Sequence, residues 1–228
     1  MIVIRNRRLR QGLRIVIPFI LIPAVVAIGV FLFDEKRYAF ISLVITVLAL
    51  LLFAAGFEKK KTGARRLVAA AVMTALSVVG RFIPFLKPVT ALTVLTGIWL
   101  GGESGFLVGA LSAVISNFYF GQGPWTPFQM FAWGMLGLIA GFLSRPLQKY
   151  RAALIAYGAL AGVVYSFIMD IWTVLWYQRE FVLSLYITAL GTAVPYMILY
   201  SVSNVIFLCL FAKPFGEKLS RIRIKYGV

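Results

Sequence analysis

The sequence predicts an all-α integral membrane protein of about eight spans, a transmembrane hairpin followed by a six-helix body, with both termini cytoplasmic. Three observations carry this. The 228-residue chain is 61% hydrophobic and only 13% charged, with mean hydropathy +0.93; a soluble domain is nearer half apolar and a quarter charged. Its apolar runs are long enough to cross a bilayer. Its basic residues gather at alternate ends of those runs, as topology signals do.

The spans follow in order. Residues 15–33 are uncharged and of crossing length, and 38–57 form a second such run; the tight Asp34–Arg37 loop pairs them as a hairpin. A signal peptide is the rival reading of the first run, but its core would be shorter and end in small residues, unlike Phe31-Leu32-Phe33. The polar segment 58–66 is the natural boundary, giving an N-terminal hairpin unit (1–63) and a six-helix unit (64–228). Residues 67–84 form the third span, with Arg81 near its far end, and 89–102 a short fourth. Residues 104–144 carry no charge and are too long for one crossing at about 1.5 Å per residue. The stretch NFYFGQGPWTPFQMFAW splits them into 104–120 and 127–144: Gly121, Gly123 and Pro124 are turn chemistry, and Pro127 suits a helix's first turn. Residues 152–177 form the next span. In 181–212 the start reads as an outer loop or surface helix, and the span begins near Gly191.

Charge tests the count. Of the 23 basic residues, only Lys36, Arg37, Lys87 and Arg179 fall outside when the N-terminus is placed inside, with Arg81 within a span. A net charge of +16 therefore reads as topology and contact with anionic lipid, not as a nucleic-acid surface.

Several chemistries are excluded. The chain has no His, which removes histidine ligation and Ser-His-Asp catalysis. Cys209 is the only cysteine, so no internal disulfide forms. No Walker sequence, HExxH, GxSxG or paired intramembrane carboxylate occurs, so the chain reads as neither an enzyme, a metal protein nor a self-powered transporter.

What remains is a polar, aromatic outer connection. Trp125 and Tyr119 fit an aromatic belt at headgroup level. Asn117, Gln122 and Gln129 do not, because amides at that depth need partners. Gln129 and Trp133 share a helix face. Asp170 lies roughly 12 Å inside its span by helical rise, and an ionisable residue there is a functional candidate; it and Arg81 either pair or meet a solute. Tyr165, Trp172, Trp176, Tyr196 and Asn204 could line the same pocket, suited to a flat organic molecule. Small residues form faces for close helix approach: Gly97, Gly101, Gly105, Gly109 and Ala113 at four-residue spacing, then Gly137 and Gly141, and the pair Ala71 and Ala75 on the body's first helix.

The runs GIWLGGESGFLVGALSAVISN (97–117) and SNFYFGQGPWTPFQMFAWGMLGLIAGFL (116–143), within a six-helix body, resemble the substrate-binding S-components of energy-coupling-factor (ECF) vitamin transporters. The likeness covers roughly 64–212, and its most specific part is 121–134. It implies a subunit that captures a vitamin from outside and docks on a transmembrane coupling subunit driven by two cytoplasmic ATPases. ATP is then used by those partners, and the chain itself binds no cofactor. Ala71 and Ala75 match the family's coupling face. Asn117, Tyr119, Gln122, Trp125, Gln129, Trp133, Arg81 and Asp170 become candidate solute contacts. The amide-rich, aromatic surroundings point to cobalamin as the transported ligand, with riboflavin or a queuosine precursor served by the same side-chain types. The hairpin departs from the six-helix pattern. A membrane scaffold that binds no solute is the competing reading.

Overall fold

A computed structural model describes residues 4, 6–32, 38–57 and 60–226; the Asp34–Arg37 loop expected to close the hairpin lies outside them. Among the described residues every regular element is helical: α1 (Arg7–Val16), a π turn (Ile17–Leu21), α2 (Ile22–Leu32), α3 (Tyr38–Ala55), α4 (Lys60–Gly80), α5 (Val89–Leu100), α6 (Gly102–Phe120), α7 (Thr126–Phe142), α8 (Ser144–Lys149), α9 (Arg151–Gln178) and α10 (Leu183–Tyr226).

Two boundaries differ from expectation. The first span does not begin at Ile15. Asn6 Oδ1 accepts from the backbone N–H of Arg8 (3.0 Å) and Leu9 (3.3 Å), an N-cap that starts the helix at Arg7. The basic segment is thus helical and continues through the π turn at Pro18, which has no N–H to give the regular ladder. Of the two readings of the start of 181–212, outer loop or surface helix, the structure has helix from Leu183, continuous with the span. Helix α10 runs unbroken for 44 residues with Pro195 and Pro214 inside it.

Five helices are long and apolar enough to cross a membrane: Arg7–Val30, Tyr38–Ala55, Gly63–Gly80, Arg151–Gln178 and Leu183–Lys225. Helices α5, α6 and α7 fall short by length or apolarity, because they form the bundle's centre. Almost all of α5 is buried, so its side chains meet protein and not lipid.

The reason is glycine. A Cβ built on Gly97 would lie 2.0 Å from the Gly137 carbonyl oxygen, on Gly105 2.7 Å from the same oxygen, and on Gly109 2.5 Å from the Trp133 carbonyl carbon. The four-residue stripe of α5 and α6 is therefore the surface on which α7 lies backbone to backbone. Gly101, at φ 97°, turns the chain between α5 and α6, where an L side chain would be strained. Replacing Gly105 by leucine is expected to destabilise the bundle by about 3 kcal/mol or more, since the atoms in the way are backbone; thermal unfolding in detergent measures it.

The hairpin shares this core. Helix α3 packs on α6 and α7, and α2 on α7. Its inner end is tied by charge: Arg14 pairs with Glu103, which is 4% exposed, and Arg66 donates to the carbonyls of Gly56 (3.1 Å) and Leu100. The carboxylate of Glu103 is thus paired, as burial requires.

Candidate functional site

The connections 81–88 and 121–125 and the α9–α10 corner all lie at one end of the bundle, named the outer end here after the charge asymmetry. The feature that organises it is Asn117, fully buried near the end of α6. Its Nδ2 donates to Thr126 Oγ1 and to Gln129 Oε1, both at 2.8 Å. Its Oδ1 accepts from Arg81 at 2.6 Å. One amide thus joins α6, the start of α7 and the chain just past α4. Thr126 completes the set by donating to Gln122 Oε1 at 3.1 Å. The buried amides that an aromatic belt could not account for are satisfied by one another.

Arg81 is held there by a second hydrogen bond to Ser116 Oγ and lies 4.8 Å from the Phe120 ring centre and 5.4 Å from that of Trp133. Trp133, buried, stacks on Tyr165 at 5.2 Å and 12°. Arg81, Gln129, Trp133 and Tyr165 line a cavity of about 50 Å³ with Lys87, Tyr200 and Asn204. Lys87 is fixed through its backbone, whose N–H donates to Ser203 Oγ (2.8 Å) while its carbonyl accepts from the same hydroxyl (3.0 Å). Partial burial, and then the charge of Arg81, hold the Lys87 ammonium below the ordinary lysine value. Both cations face the cavity and, among the described residues, no carboxylate lines it, an arrangement that favours a solute bearing acceptor or anionic groups.

The volume is room for water and not for a vitamin-sized molecule. Arg81 and Lys87 of the segment 81–88 form part of its lining. Phe85 within that segment is 78% exposed and sits at φ 61°, a conformation that a bulky residue holds only under strain. Around the mouth Phe82 lies 4.5 Å from Tyr119 and 4.9 Å from Phe120, ring centre to ring centre.

The structure sorts the sequence-predicted residues. It brings Arg81, Asn117, Gln129 and Trp133 together, along with Tyr165 and Asn204. Gln122 braces the loop, donating to the Val114 carbonyl at 2.8 Å. Tyr119 is 72% exposed on the rim. Trp125 turns away and meets Trp172 edge-on at 5.9 Å. Trp172 and Trp176 line a different cavity with Tyr38 and Ile41 of the hairpin. Tyr196 is exposed. Asp170 does not meet Arg81, whose hydrogen bonds go to Ser116 and Asn117; its Oδ2 is buried with no hydrogen-bond partner among the described residues. Ala71 and Ala75 both stand exposed on α4, uncovered by the hairpin.

Sequence reasoning missed Lys87, Thr90 and Tyr200. Signals pointed to two of the three: Lys87 is a cation in the connection just before α5, and Tyr200 precedes Asn204 by one helical turn.

No curated protein and no solved structure matches the chain. A family model described as ECF-type riboflavin transporter, S component, matches residues 60–221. That stretch opens at the start of α4, contains every residue lining the outer cavity and ends near the C-terminus of α10. The chain belongs to the family of ECF-type riboflavin transporter S components, the substrate-specific subunits of ECF transporters.

Proposed function

We propose that the chain captures a vitamin in the outer cavity, and that riboflavin or a closely related flat heterocycle is the solute. The observation that carries this is the pairing of a flat aromatic stack, Trp133 on Tyr165, with Arg81 lying over the Trp133 ring and held there by Asn117. An isoalloxazine ring offers a π face to the first and carbonyl acceptors to the second. The family's description supports the same choice. Arg81, Asn117, Gln129 and Trp133 form the binding core; Tyr119 and Gln122 support its mouth.

Cobalamin is the second reading, and the mouth favours it. Phe82, Phe85 and Tyr119 stand exposed there, a platform wider than one heterocycle needs. The phosphodiester of cobalamin would suit Arg81 and Lys87.

The solute is received from outside, with both termini cytoplasmic. The energy comes from partners: a transmembrane coupling subunit and two cytoplasmic ATPases consume ATP, and this chain binds none. Docking uses the exposed Ala71–Ala75 face.

The test is titration of the purified chain without partners. Riboflavin fluorescence is expected to be quenched saturably on stacking, with Trp133→Ala weakening binding at least tenfold. Binding of cobalamin and not riboflavin would select the second reading. Binding of neither by folded protein would favour a scaffold without a solute.

A further inference from the structure

A second cavity, of about 490 Å³, opens at the inner end between the α8–α9 corner and the later turns of α10. Its mouth carries Lys149, Arg151 and Lys213, all exposed. Its floor is apolar, with Leu147, Leu154 and Leu208 buried. The two layers are set by helical rise. Ile155 lies about 6 Å along α9 from Arg151, and Leu208 about 7.5 Å along α10 from Lys213. The apolar walls therefore run from a cationic rim into the membrane-spanning parts of both helices. Among the described residues no carboxylate lies within ion-pair distance of any of the three cations. Pro214 also lines the cavity, and having no N–H it offers nothing to the carbonyl of Leu210 beside it.

We infer that this cavity seats an anionic phospholipid, with its phosphate against Lys149, Arg151 and Lys213 and an acyl chain along Leu154, Ile155 and Leu208. Charge complementarity selects the head: among the described residues the three cations around one opening have no carboxylate within ion-pair distance. The walls select a lipid over a soluble anion, because a free phosphate leaves an apolar floor wet whereas an acyl chain covers it. A hydroxyl-bearing headgroup such as phosphoglycerol also supplies a donor for the Leu210 carbonyl. The inference is independent of which solute fills the outer cavity.

Trp99, which lines the cavity, reports on it. The full chain is reconstituted in phosphatidylcholine vesicles holding a minor fraction of phosphatidylglycerol brominated on its acyl chains, and quenching is compared with the same fraction of brominated phosphatidylcholine. Subtraction of Trp99→Phe isolates the signal among the five tryptophans. Quenching by the anionic lipid is expected to be the stronger. Each of Lys149→Gln, Arg151→Gln and Lys213→Gln is expected to weaken the preference roughly fivefold, the equivalent of about 1 kcal/mol per basic residue at an anionic surface. Cys209→Phe fills the wall, leaves the cations in place and is expected to remove the preference as well. Equal quenching by the two lipids, or a preference that survives the triple neutralisation, overturns the inference. Relief of quenching by millimolar inorganic phosphate overturns it too, marking a site for a soluble anion.

Discussion

Replacing Asn117 by alanine is expected to weaken solute binding about 100-fold while the helical bundle persists. The side chain is fully buried and makes three hydrogen bonds. Its loss leaves Arg81 with Ser116 alone, and leaves Gln129 Oε1 without its donor. A buried group stripped of its partner costs about 1–3 kcal/mol, and two such groups both face the cavity. A factor of 100 in affinity is about 2.8 kcal/mol, within what they can supply. Titration of the purified variant measures the loss, and thermal unfolding of the same sample establishes that it is folded. Asn117→Asp refines the test. A carboxylate still accepts from Arg81 but cannot donate to Gln129 or Thr126, so its affinity should fall between those of wild type and alanine. Unchanged affinity in Asn117→Ala would mean that the network holds helices together and takes no part in the site.

The same residue marks how far sequence reasoning reaches. Asn117, Gln129 and Trp133 were legible because amides among apolar helices have few fates, and because four-residue spacing puts Gln129 and Trp133 on one face. Arg81 was legible as a charge near a span end. Lys87 was less so, since a lysine in a connection reads as topology. Its position is set by Ser203, far along the chain, and no local pattern encodes that contact. Trp125 misled for the same reason. Its place in the aromatic run suggested the pocket, but the turn at Gly121–Pro124 rotates it toward Trp172. Which of two neighbouring aromatics faces a cavity depends on backbone direction past a turn, which composition does not fix.

For the fold, hydropathy identified the helical class and most helix positions, and failed at both extremes of polarity. The basic start of α1 was too charged to look like part of a span, yet the Asn6 cap makes it helical. The outer start of α10, before Gly191, read as a separate loop or surface helix ahead of the span. The helix runs on through Gly191 and Pro195: Gly191 meets nothing in open space, and Pro195 gives up one ladder bond without ending the helix. The glycine stripe, by contrast, was legible as close packing, because four-residue spacing of small side chains has one dominant use between membrane helices. The partner was not legible, since the stripe of α5 and α6 fits any helix of similar relief and only the fold assigns it to α7.

That same use of small residues gives the second large effect. Ala71→Leu and Ala75→Leu are each expected to reduce ATP-driven uptake below a tenth of wild type while leaving solute affinity within twofold. Both alanines are exposed on α4, which turns Ala70, Met73, Thr74 and Ser77 toward the bundle. A leucine at either position extends from an exposed face, and neither alanine lines the outer cavity, so solute affinity is expected to be kept. A partner helix lying on that face would be held off by the added branched side chain. Dispersion contacts fall steeply with separation, and between membrane helices they are the chief attraction, because lipid offers no hydrophobic drive. The measurement is uptake by vesicles holding the chain with its coupling subunit and ATPases, beside titration of each variant alone. Loss of both activities would mean that α4 bears on the cavity directly, through Arg81 at its end. Retention of both would move docking off Ala71 and Ala75. The remaining surface nearby is the apolar groove between α4 and the last turns of α10, lined by Val68, Val72, Leu219 and Ile222. Uptake lost with binding kept is the one result that separates a docking face from both alternatives, because only a partner's approach distinguishes the two assays.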